Sequence, residues 1–342
     1  MVRKSIITVT IFVLTVSLVK GSSNPAAFLD VGVGARAIGM GGAFTAVAEG
    51  PSAGYWNPAG LAKVDTFQAS AMLQSYGALE WPGQKDISPK YQFINLGVPL
   101  SKVGLLDTGT IGLSVISMGI TDIPHTYMED GTLIRNTFDN RETAVFLSAG
   151  YPFFMNDLMV GGSLKYITQD FQGIDGASAA GWDMDAGIIV LITDNIDMGF
   201  LISRGATLEW ESGHRDTGEV KSKVGIAYAD SISRKIDFLG AIDFIQEKNM
   251  PLQSSFGGEI SFNPGIEKGI GEFQSISARS GVNRLTLEDR YSYKENLNEV
   301  LKWNAGVGVK MGLLDLNLQI DYTFSNEPLG NGHRISLIME LI

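Results

Sequence analysis

From Thr66 to the C terminus, apolar and polar residues alternate with a period of two. In Leu314–Phe324, every even-numbered residue is Leu, Ile, Tyr or Phe, and every odd-numbered residue is Asp, Asn, Gln or Thr. Such alternation is typical of β-strands with one apolar and one polar face. It predicts about fourteen strands, most of them long enough to cross a bilayer when tilted. We expect them near 66–76, 90–98, 109–118, 142–152, 158–169, 181–192, 196–204, 219–229, 236–246, 252–262, 273–282, 301–311, 314–324 and 332–341.

The connections between the predicted strands differ in length in a regular way. Long polar connections follow the first, third, fifth, seventh and eleventh segments, whereas several of the intervening turns are tight. The long connections are Gly77–Pro89, Gly119–Arg141, Asp170–Ala180, Gly205–Gly218 and Asn283–Val300. Outer-membrane barrels combine short periplasmic turns with long outer loops and an even strand number. The predicted fold class is therefore all-β, a transmembrane antiparallel β-barrel of about fourteen strands, with a secreted sandwich or propeller as the alternative.

The first 21 residues have the pattern of a secretory signal peptide. Two basic residues precede the apolar stretch Ser5–Val19, and small residues follow it. This stretch is short for a membrane-spanning helix, which needs roughly 20 residues, although an uncleaved anchor is the alternative. We predict a signal peptide over 1–21, a hatch or plug segment over 22–65 and a barrel over 66–342. The expected location is the outer membrane of a Gram-negative-type bacterium.

Charge and composition exclude several other classes. The chain has 26 Lys and Arg against 37 Asp and Glu, a net charge of −11, and no basic run. It is therefore a poor candidate for nucleic-acid binding, which requires clustered basic residues. With no Cys and three scattered His, zinc and iron–sulfur sites are not expected. No cofactor and no metal site is predicted.

A barrel of this width calls for something inside it, because an open lumen would leak. The candidate is Phe28–Val64, which contains eight Gly and eight Ala and lacks strand alternation. Small residues allow close packing, and glycine allows unusual backbone angles. Gly32–Ala37 also fits the G-x-G-x-x-G/A dinucleotide fingerprint, but no buried strand precedes it, so we do not predict a nucleotide site. The predicted hatch glycines are Gly32, Gly34, Gly39, Gly41 and Gly42.

Two blocks of this segment carry a family resemblance. Phe28–Phe44 and Tyr55–Leu61 resemble the N-terminal signature of the PorV/PorQ family, outer-membrane barrels related to the FadL long-chain fatty-acid transporters. The resemblance returns near Leu329–Leu337. It implies a fourteen-stranded barrel with an N-terminal hatch in the lumen. The chain departs from the pattern at Ile342, where such barrels commonly end in an aromatic residue. Within the second block, the residues that match the hatch motif of FadL-like proteins are Asn57, Pro58 and Ala59.

Charged residues occur on strand faces that are predicted to point into the lumen. Charges on a lipid-facing surface are costly, so we expect these residues to pair with one another and with the plug. Paired carboxylates such as Asp183 and Asp185 could also serve acid–base chemistry or bind a cation. The candidates are Asp183, Asp185, Lys221, Lys223, Asp237, Asp243, Glu259, Lys310, Asp315, Asp321 and Glu340.

Two functions follow from the resemblance. The first is a plugged channel for a hydrophobic small molecule, as the FadL relationship implies. The alternative is a protein-binding barrel of a type IX-like secretion system, in which outer loops handle exported client proteins. In both cases outer-membrane lipid surrounds the barrel. The sequence contains no recognised nucleophile motif, and we do not predict an enzyme.

Overall fold

The computed structural model describes residues 24–76, 79–81, 84–87, 89–153, 157–248, 250–268, 271–286, 302–326 and 331–342. The predicted signal peptide lies outside these residues. Within them, no helix combines the length and the apolar character needed to cross a membrane.

Fourteen antiparallel strands form one closed sheet. Each strand pairs with its neighbours in sequence, and the first pairs with the last, from Phe67 opposite Leu341 to Tyr76 opposite Gly332. Closure leaves the sheet without a free edge. The prediction of a fourteen-stranded barrel is confirmed, and a two-sheet sandwich is excluded. The strands are β1 (Phe67–Tyr76), β2 (Lys90–Pro99), β3 (Thr110–Glu129), β4 (Thr132–Phe153), β5 (Leu158–Gln172), β6 (Ser178–Thr193), β7 (Ile196–Ser203), β8 (Lys221–Ser233), β9 (Ile236–Glu247), β10 (Gln253–Phe262), β11 (Gly271–Thr286), β12 (Lys302–Leu313), β13 (Leu316–Ser325) and β14 (Gly332–Leu341).

Shorter elements accompany the fourteen strands. Four short strands lie in the connections of the barrel, and a fifth, Ile266–Lys268, pairs with β11. The four are Leu79–Trp81, Gln84–Ile87, Thr207–Trp210 and Arg215–Thr217. Before β1, the chain forms two α-helical turns and two 3₁₀-helices. These are the 3₁₀-helix Ala27–Val31, α1 (Ala35–Gly39), α2 (Ala53–Trp56) and the 3₁₀-helix Pro58–Lys63.

The prediction of a long loop over Gly119–Arg141 is wrong, because most of these residues form strands. β3 and β4 continue beyond the barrel as a paired hairpin that turns between Glu129 and Thr132. A bulge between Ile120 and Ile123 marks the start of this extension. Both faces of the extension are largely exposed, so apolar residues have no reason to alternate there, and the alternation criterion cannot detect the strands. β5 and β6 also extend into their predicted loop, as does β11 into 283–300, of which residues 287–300 lie outside the described residues.

The outer surface of the barrel is apolar, whereas its inner surface is buried. On β4, for example, Ala144, Phe146 and Ser148 are buried inside, and the alternating Val145 and Leu147 are exposed outside. Leu73 on β1 is 63% exposed. Large aromatic residues are also exposed outside, in pairs such as Tyr166 with Trp182. A soluble barrel would not present this much continuous apolar surface to water.

Residues 24–66, which we call the N-terminal segment, cross the barrel interior. The backbone N–H of Ala35 donates to the Ser336 hydroxyl on β14, at 2.7 Å. The backbone N–H of Thr45 donates to Asp243 on β9, at 3.0 Å. The Ser163 hydroxyl on β5 donates to the Gly54 carbonyl, at 2.8 Å. Since these three strands lie on different sides of the closed sheet, the segment occupies the lumen.

Candidate functional site in the barrel interior

Asn57 joins two parts of the N-terminal segment to the barrel wall. Its side-chain Nδ2 donates to the carbonyl of Thr45 at 2.9 Å, and to the carbonyls of Ile188 on β6 and Phe200 on β7 at 3.2 and 3.3 Å. Its Oδ1 accepts from the Ala59 N–H at 3.2 Å and caps the 3₁₀-helix that Pro58 begins. The residue is fully buried. A single amide therefore fixes the fold of the segment and its position against two strands.

Glycines on the inner wall allow the segment to approach the strand backbones. A Cβ at Gly161 would lie 2.3 Å from the Pro58 carbonyl carbon, and one at Gly257 would lie 2.2 Å from the Met40 carbonyl oxygen. Sequence reasoning missed these wall glycines, although each occupies an inward position of a strand. Seven strands contribute one glycine with such a close approach to the segment: Gly150, Gly161, Gly187, Gly199, Gly225, Gly257 and Gly281.

The predicted hatch glycines lie at the bends of the segment. Gly32, Gly34, Gly41 and Gly42 have positive φ, whereas Gly39 packs against Thr323. Gly41 has φ +67°, and a Cβ there would lie 2.6 Å from backbone atoms of β10 and β11. This position requires glycine both for its backbone angle and for its contact with the wall.

Ion pairs, some of them fully buried, involve seven of the eleven predicted lumen charges. Lys165 on β5 donates to Asp183 at 2.8 Å and to Asp185 at 2.7 Å, and all three side chains are buried. The sequence analysis named the two carboxylates but missed Lys165. Its partners are on the adjacent strand, where Lys165 lies directly opposite Asp183.

A second network connects the segment to the far wall. Arg279 on β11 contacts Glu259 and donates to Asp321 on β13, at 2.6 Å. Arg36 of the segment donates to Glu259 at 2.8 Å and also contacts Glu49. Both carboxylates are thus paired with Arg279, and Glu259 is also paired with Arg36 of the segment.

Asp30 carries a further ion pair between the segment and the wall. Its Oδ1 lies 2.7 Å from both the Lys221 ammonium and the Arg284 guanidinium. Burial opposes ionisation of Asp30, but these two cations outweigh it and hold the pKa of its carboxyl well below the usual range. The ion pair is therefore fully formed at neutral pH.

Three other predicted lumen charges contact hydroxyl, amide or aromatic groups. Asp243 accepts from the backbone N–H groups of Phe44 and Thr45 and from the Thr45 hydroxyl. The Lys223 ammonium lies 5.4 Å from the centre of the Trp56 ring. Asp237 accepts from the side chains of two residues near the short turns, Ser231 and Asn263.

The prediction that Asp315 faces the lumen is wrong, whereas Lys310 and Glu340 form a further ion pair. Asp315 is exposed in the turn between β12 and β13, because β13 begins only at Leu316. Leu314, before it, adopts φ +54°, a turn conformation that ends the strand pattern. Lys310 and Glu340 face each other at 3.5 Å.

A cavity of about 470 Å³ lies between the N-terminal segment and the end of the barrel that carries the long connections. We call it the long-connection cavity. Phe28, Val31 and Ile38 of the segment line it from one side, and Met118 and Ile120 of β3 from another. Its polar lining includes Asp30, Glu142, Asn283, Arg284, Lys302, Asn304 and Arg334.

Beyond this cavity, five aromatic rings form a continuous row. His125 lies 5.1 Å from Tyr127 and 6.0 Å from Phe138; Phe138 lies 6.1 Å from Phe171, which stacks on Trp210 at 6.0 Å. We call these five residues the aromatic row. They span the β3–β4 extension, β5 and the short strand Thr207–Trp210. Because the bulge between Ile120 and Ile123 shifts the alternation of β3 by one residue, all five lie on the lumen-facing side of the sheet. The row was not found from the sequence, because its members are distant in the chain.

A second cavity, of about 730 Å³, lies at the opposite end of the barrel and is called the short-turn cavity. Arg36, Glu49 and Lys63 of the segment line it, with Asp194 and Asp197 near the β6–β7 turn. Lys63 pairs with Asp197 at 3.2 Å. The N-terminal segment therefore has a cavity with a mainly apolar floor on one side and a charged cavity on the other.

Several solved structures share this fold. The toluene transporter TodX of P. putida superposes with a TM-score of 0.57 at 11% identity, over 91% of this chain and 98% of that chain. The toluene transporter TbuX of Ralstonia pickettii gives 0.54 at 12% identity, over 90% and 97%. A Pseudomonas aeruginosa FadL homologue gives 0.51 at 12% identity, over 94% and 98%. The fold is that of a FadL-like barrel.

At these identities the similarity concerns the fold alone. No protein-family model matches the chain, and no curated protein has significant sequence similarity to it. The resemblance to the PorV/PorQ family is not tested by these structures and stays a prediction.

Proposed function

We propose that the protein is an outer-membrane channel for hydrophobic small molecules, with the N-terminal segment as its hatch. The observation that carries the proposal is the long-connection cavity, a compartment of about 470 Å³ with a mainly apolar floor and polar groups in its wall. It lies on the hatch, inside a closed barrel with an apolar exterior. Ligand pockets of this size with mostly apolar lining and a few polar groups are typical of small-molecule sites.

The outer surface supports location in a membrane. Apolar residues such as Leu73, Ile94 and Leu147 are exposed on the outside of neighbouring strands. Aromatic clusters such as Tyr322, Phe324 and His333 add an amphipathic band. Acyl chains would cover this surface, and aromatic residues are favoured at membrane interfaces. The neighbouring TodX and TbuX structures, described as toluene transporters, are consistent with this location.

The route through the barrel would begin at the aromatic row. Aromatic side chains offer a large apolar contact area, and this row leads to the strands that line the long-connection cavity. To leave toward the short-turn cavity, a ligand would have to pass the hatch, which contacts the wall glycines closely. Passage therefore requires displacement of part of the hatch.

The test is uptake of a radiolabelled hydrophobic compound, such as toluene or a medium-chain fatty acid, into proteoliposomes. Val31→Trp fills the cavity floor and should abolish protein-dependent uptake. Val307→Trp is the control, because Val307 is exposed on the outer surface. Uptake equal to that of protein-free liposomes, or equal uptake by both variants, would contradict the proposal.

The secretion alternative has less support in the structure. It would depend on outer connections as client surfaces, and residues 287–301 of the connection between β11 and β12 lie outside the described residues. None of the similar structures above is described as a secretion component, so no observation favours that role.

A further inference from the structure

Most of the polar groups of the long-connection cavity lie at its two ends. Asn304 and Lys302 are on β12 and Arg284 is on β11, whereas Glu142 is on β4. Six strand-to-strand steps separate β12 from β4, so the two ends lie on nearly opposite sides of a fourteen-stranded barrel. Arg334, between them, already donates to Gln74 and contacts Ser325.

The β12 end presents hydrogen-bond donors. Asn304 is 3% exposed, and its Oδ1 accepts from the Ser325 hydroxyl. Its Nδ2 has no hydrogen-bond partner among the described residues. A buried amide N–H₂ without a partner costs free energy, and such groups are normally satisfied. With Lys302 beside it in the cavity lining, this end suits a ligand oxygen that accepts hydrogen bonds.

The β4 end presents the opposite chemistry. Glu142 Oε1 accepts from the Gln169 side chain at 3.2 Å. The Asn140 side chain interacts with the same carboxyl, but the buried Oε2 has no partner at full hydrogen-bond distance and angle within the described part of the chain. A carboxylate oxygen accepts hydrogen bonds and, when ionised, donates none. An apolar ligand placed against it would leave this oxygen desolvated, whereas a ligand hydroxyl would satisfy it.

Between these ends, the lining is mainly apolar, apart from Arg334 and Asp30, whose charged groups already have partners in the protein. Phe28, Val31 and Ile38 form the floor, and Met118 and Ile120 form part of the wall. A pure hydrocarbon would make apolar contacts in the middle of the cavity but would leave the polar groups at both ends without a hydrogen-bond partner. A molecule with one polar head would satisfy one end only.

We propose that this cavity selects an elongated hydrophobic molecule with a polar group at each end. An acceptor, such as a carboxylate, binds near Asn304 and Lys302, and a donor, such as a hydroxyl, binds Glu142. Glu142 is then the residue that determines specificity for the distal donor. The inference rests on the proposed function, because it names the class of molecule that the channel would admit.

The test compares matched ligands on the full-length protein in lipid nanodiscs. An ω-hydroxy acid and the unsubstituted acid of equal chain length, from about ten to sixteen carbons, are titrated by calorimetry. The measured quantity is the affinity for the ω-hydroxy acid divided by the affinity for the unsubstituted acid. The two acids partition differently into lipid, but this difference cancels when the ratio is compared between protein variants. A hydrogen bond to a charged group predicts that Glu142→Leu lowers the ratio roughly tenfold. Glu142→Gln, which keeps an acceptor oxygen, should restore part of it.

Two further variants locate the effect. Asn304→Ala should weaken both ligands by a similar factor and leave the ratio unchanged. Glu340→Gln removes a carboxylate near the short-turn end and should change neither affinity. Thermal unfolding of each variant, matched to that of the native protein, shows that the barrel is intact.

The outcomes separate this inference from the proposed function. If the unsubstituted acid binds but the ratio is the same in the native protein and Glu142→Leu, the specificity proposal is wrong and the channel proposal stands. The specificity proposal is also wrong, and the channel proposal again stands, if Asn304→Ala affects neither ligand. If no ligand of either series binds, both proposals are overturned.

Discussion

The two cavities on either side of the N-terminal segment differ in chemistry more than in size. The long-connection cavity has Phe28, Val31 and Ile38 as its floor. The short-turn cavity is lined from the same segment by Arg36, Glu49 and Lys63. One segment of about forty residues thus presents a mainly apolar surface, with Asp30 as its charged lining residue, to one end of the barrel and a charged surface to the other. A hydrophobic ligand would be held on the first side and would gain nothing by staying on the second.

This difference depends on the segment staying in place, so removing it should have the largest effect. Deletion of residues 28–64 should merge the two cavities into one water-filled lumen. We expect a rise of at least about tenfold in single-channel conductance in planar bilayers, because a fourteen-stranded barrel is wide enough for an aqueous path. An unchanged conductance, with the barrel shown to be folded by circular dichroism, would contradict the hatch assignment.

A single substitution on an inward-facing strand position should weaken the packing of the N-terminal segment against the barrel. Gly161→Val places a side chain where the Pro58 backbone now lies, since a Cβ added at Gly161 would be 2.3 Å from the Pro58 carbonyl carbon. Backbone atoms cannot yield as a flexible side chain can, so we expect destabilisation of about 3 kcal/mol. The control is Gly162→Val, since a Cβ at Gly162 meets its nearest atom only at 3.5 Å.

Urea unfolding in detergent micelles measures both variants. Ion leakage through reconstituted protein gives a second readout, because a displaced segment leaves a gap. Equal stability of the Gly161 and Gly162 variants would mean that close contact between wall and segment is not needed.

The strand pattern made the barrel predictable, but the contacts inside it were not. Alternation identifies strands wherever one face is apolar and exposed and the other is buried, and it failed over Gly119–Arg141, where both faces are largely exposed. It also extended β13 two residues too early, which misplaced Asp315. The composition of Phe28–Val64 pointed to a plug, because strand alternation is absent there.

The partners of the lumen charges required the register of the sheet. Asp183 and Asp185 were found as inward carboxylates, yet nothing local in the sequence connects them to Lys165, which pairs with them from the neighbouring strand. The aromatic row has the same character, since Phe171 and Trp210 stack across 39 positions of sequence. Such contacts depend on strand order and stagger, which periodicity does not encode.

The aromatic row should affect how fast a ligand reaches the apolar side. Trp210→Ala removes the terminal ring of the row, which stacks on Phe171, while leaving the cavity lining intact. An aromatic pair contributes about 0.5–1.5 kcal/mol beyond its buried area, so we expect uptake at low ligand concentration to fall about threefold to tenfold. Trp182→Ala is the matched control, because Trp182 is exposed on the outer surface. A similar loss in both variants would indicate a general effect on the barrel.

The smallest expected effect concerns acid release of the segment from the wall. Because Lys221 and Arg284 hold the pKa of Asp30 below its usual value, the folded protein binds a proton there less readily than the unfolded chain. The ion pair therefore stabilises the protein fully above the unfolded pKa of about 3.9. This stabilisation is lost as the pH falls below that value toward the folded pKa.

Thermal unfolding between pH 3 and pH 7 measures this contribution. The native protein should lose stability below about pH 4 more steeply than Asp30→Asn, which cannot titrate at this position. Other carboxylates titrate in both proteins, so the difference between the two curves isolates Asp30. Parallel curves over the whole range would show that the Asp30 ion pair does not hold the segment, and that the hydrogen bonds of Asn57 and Asp243 are sufficient.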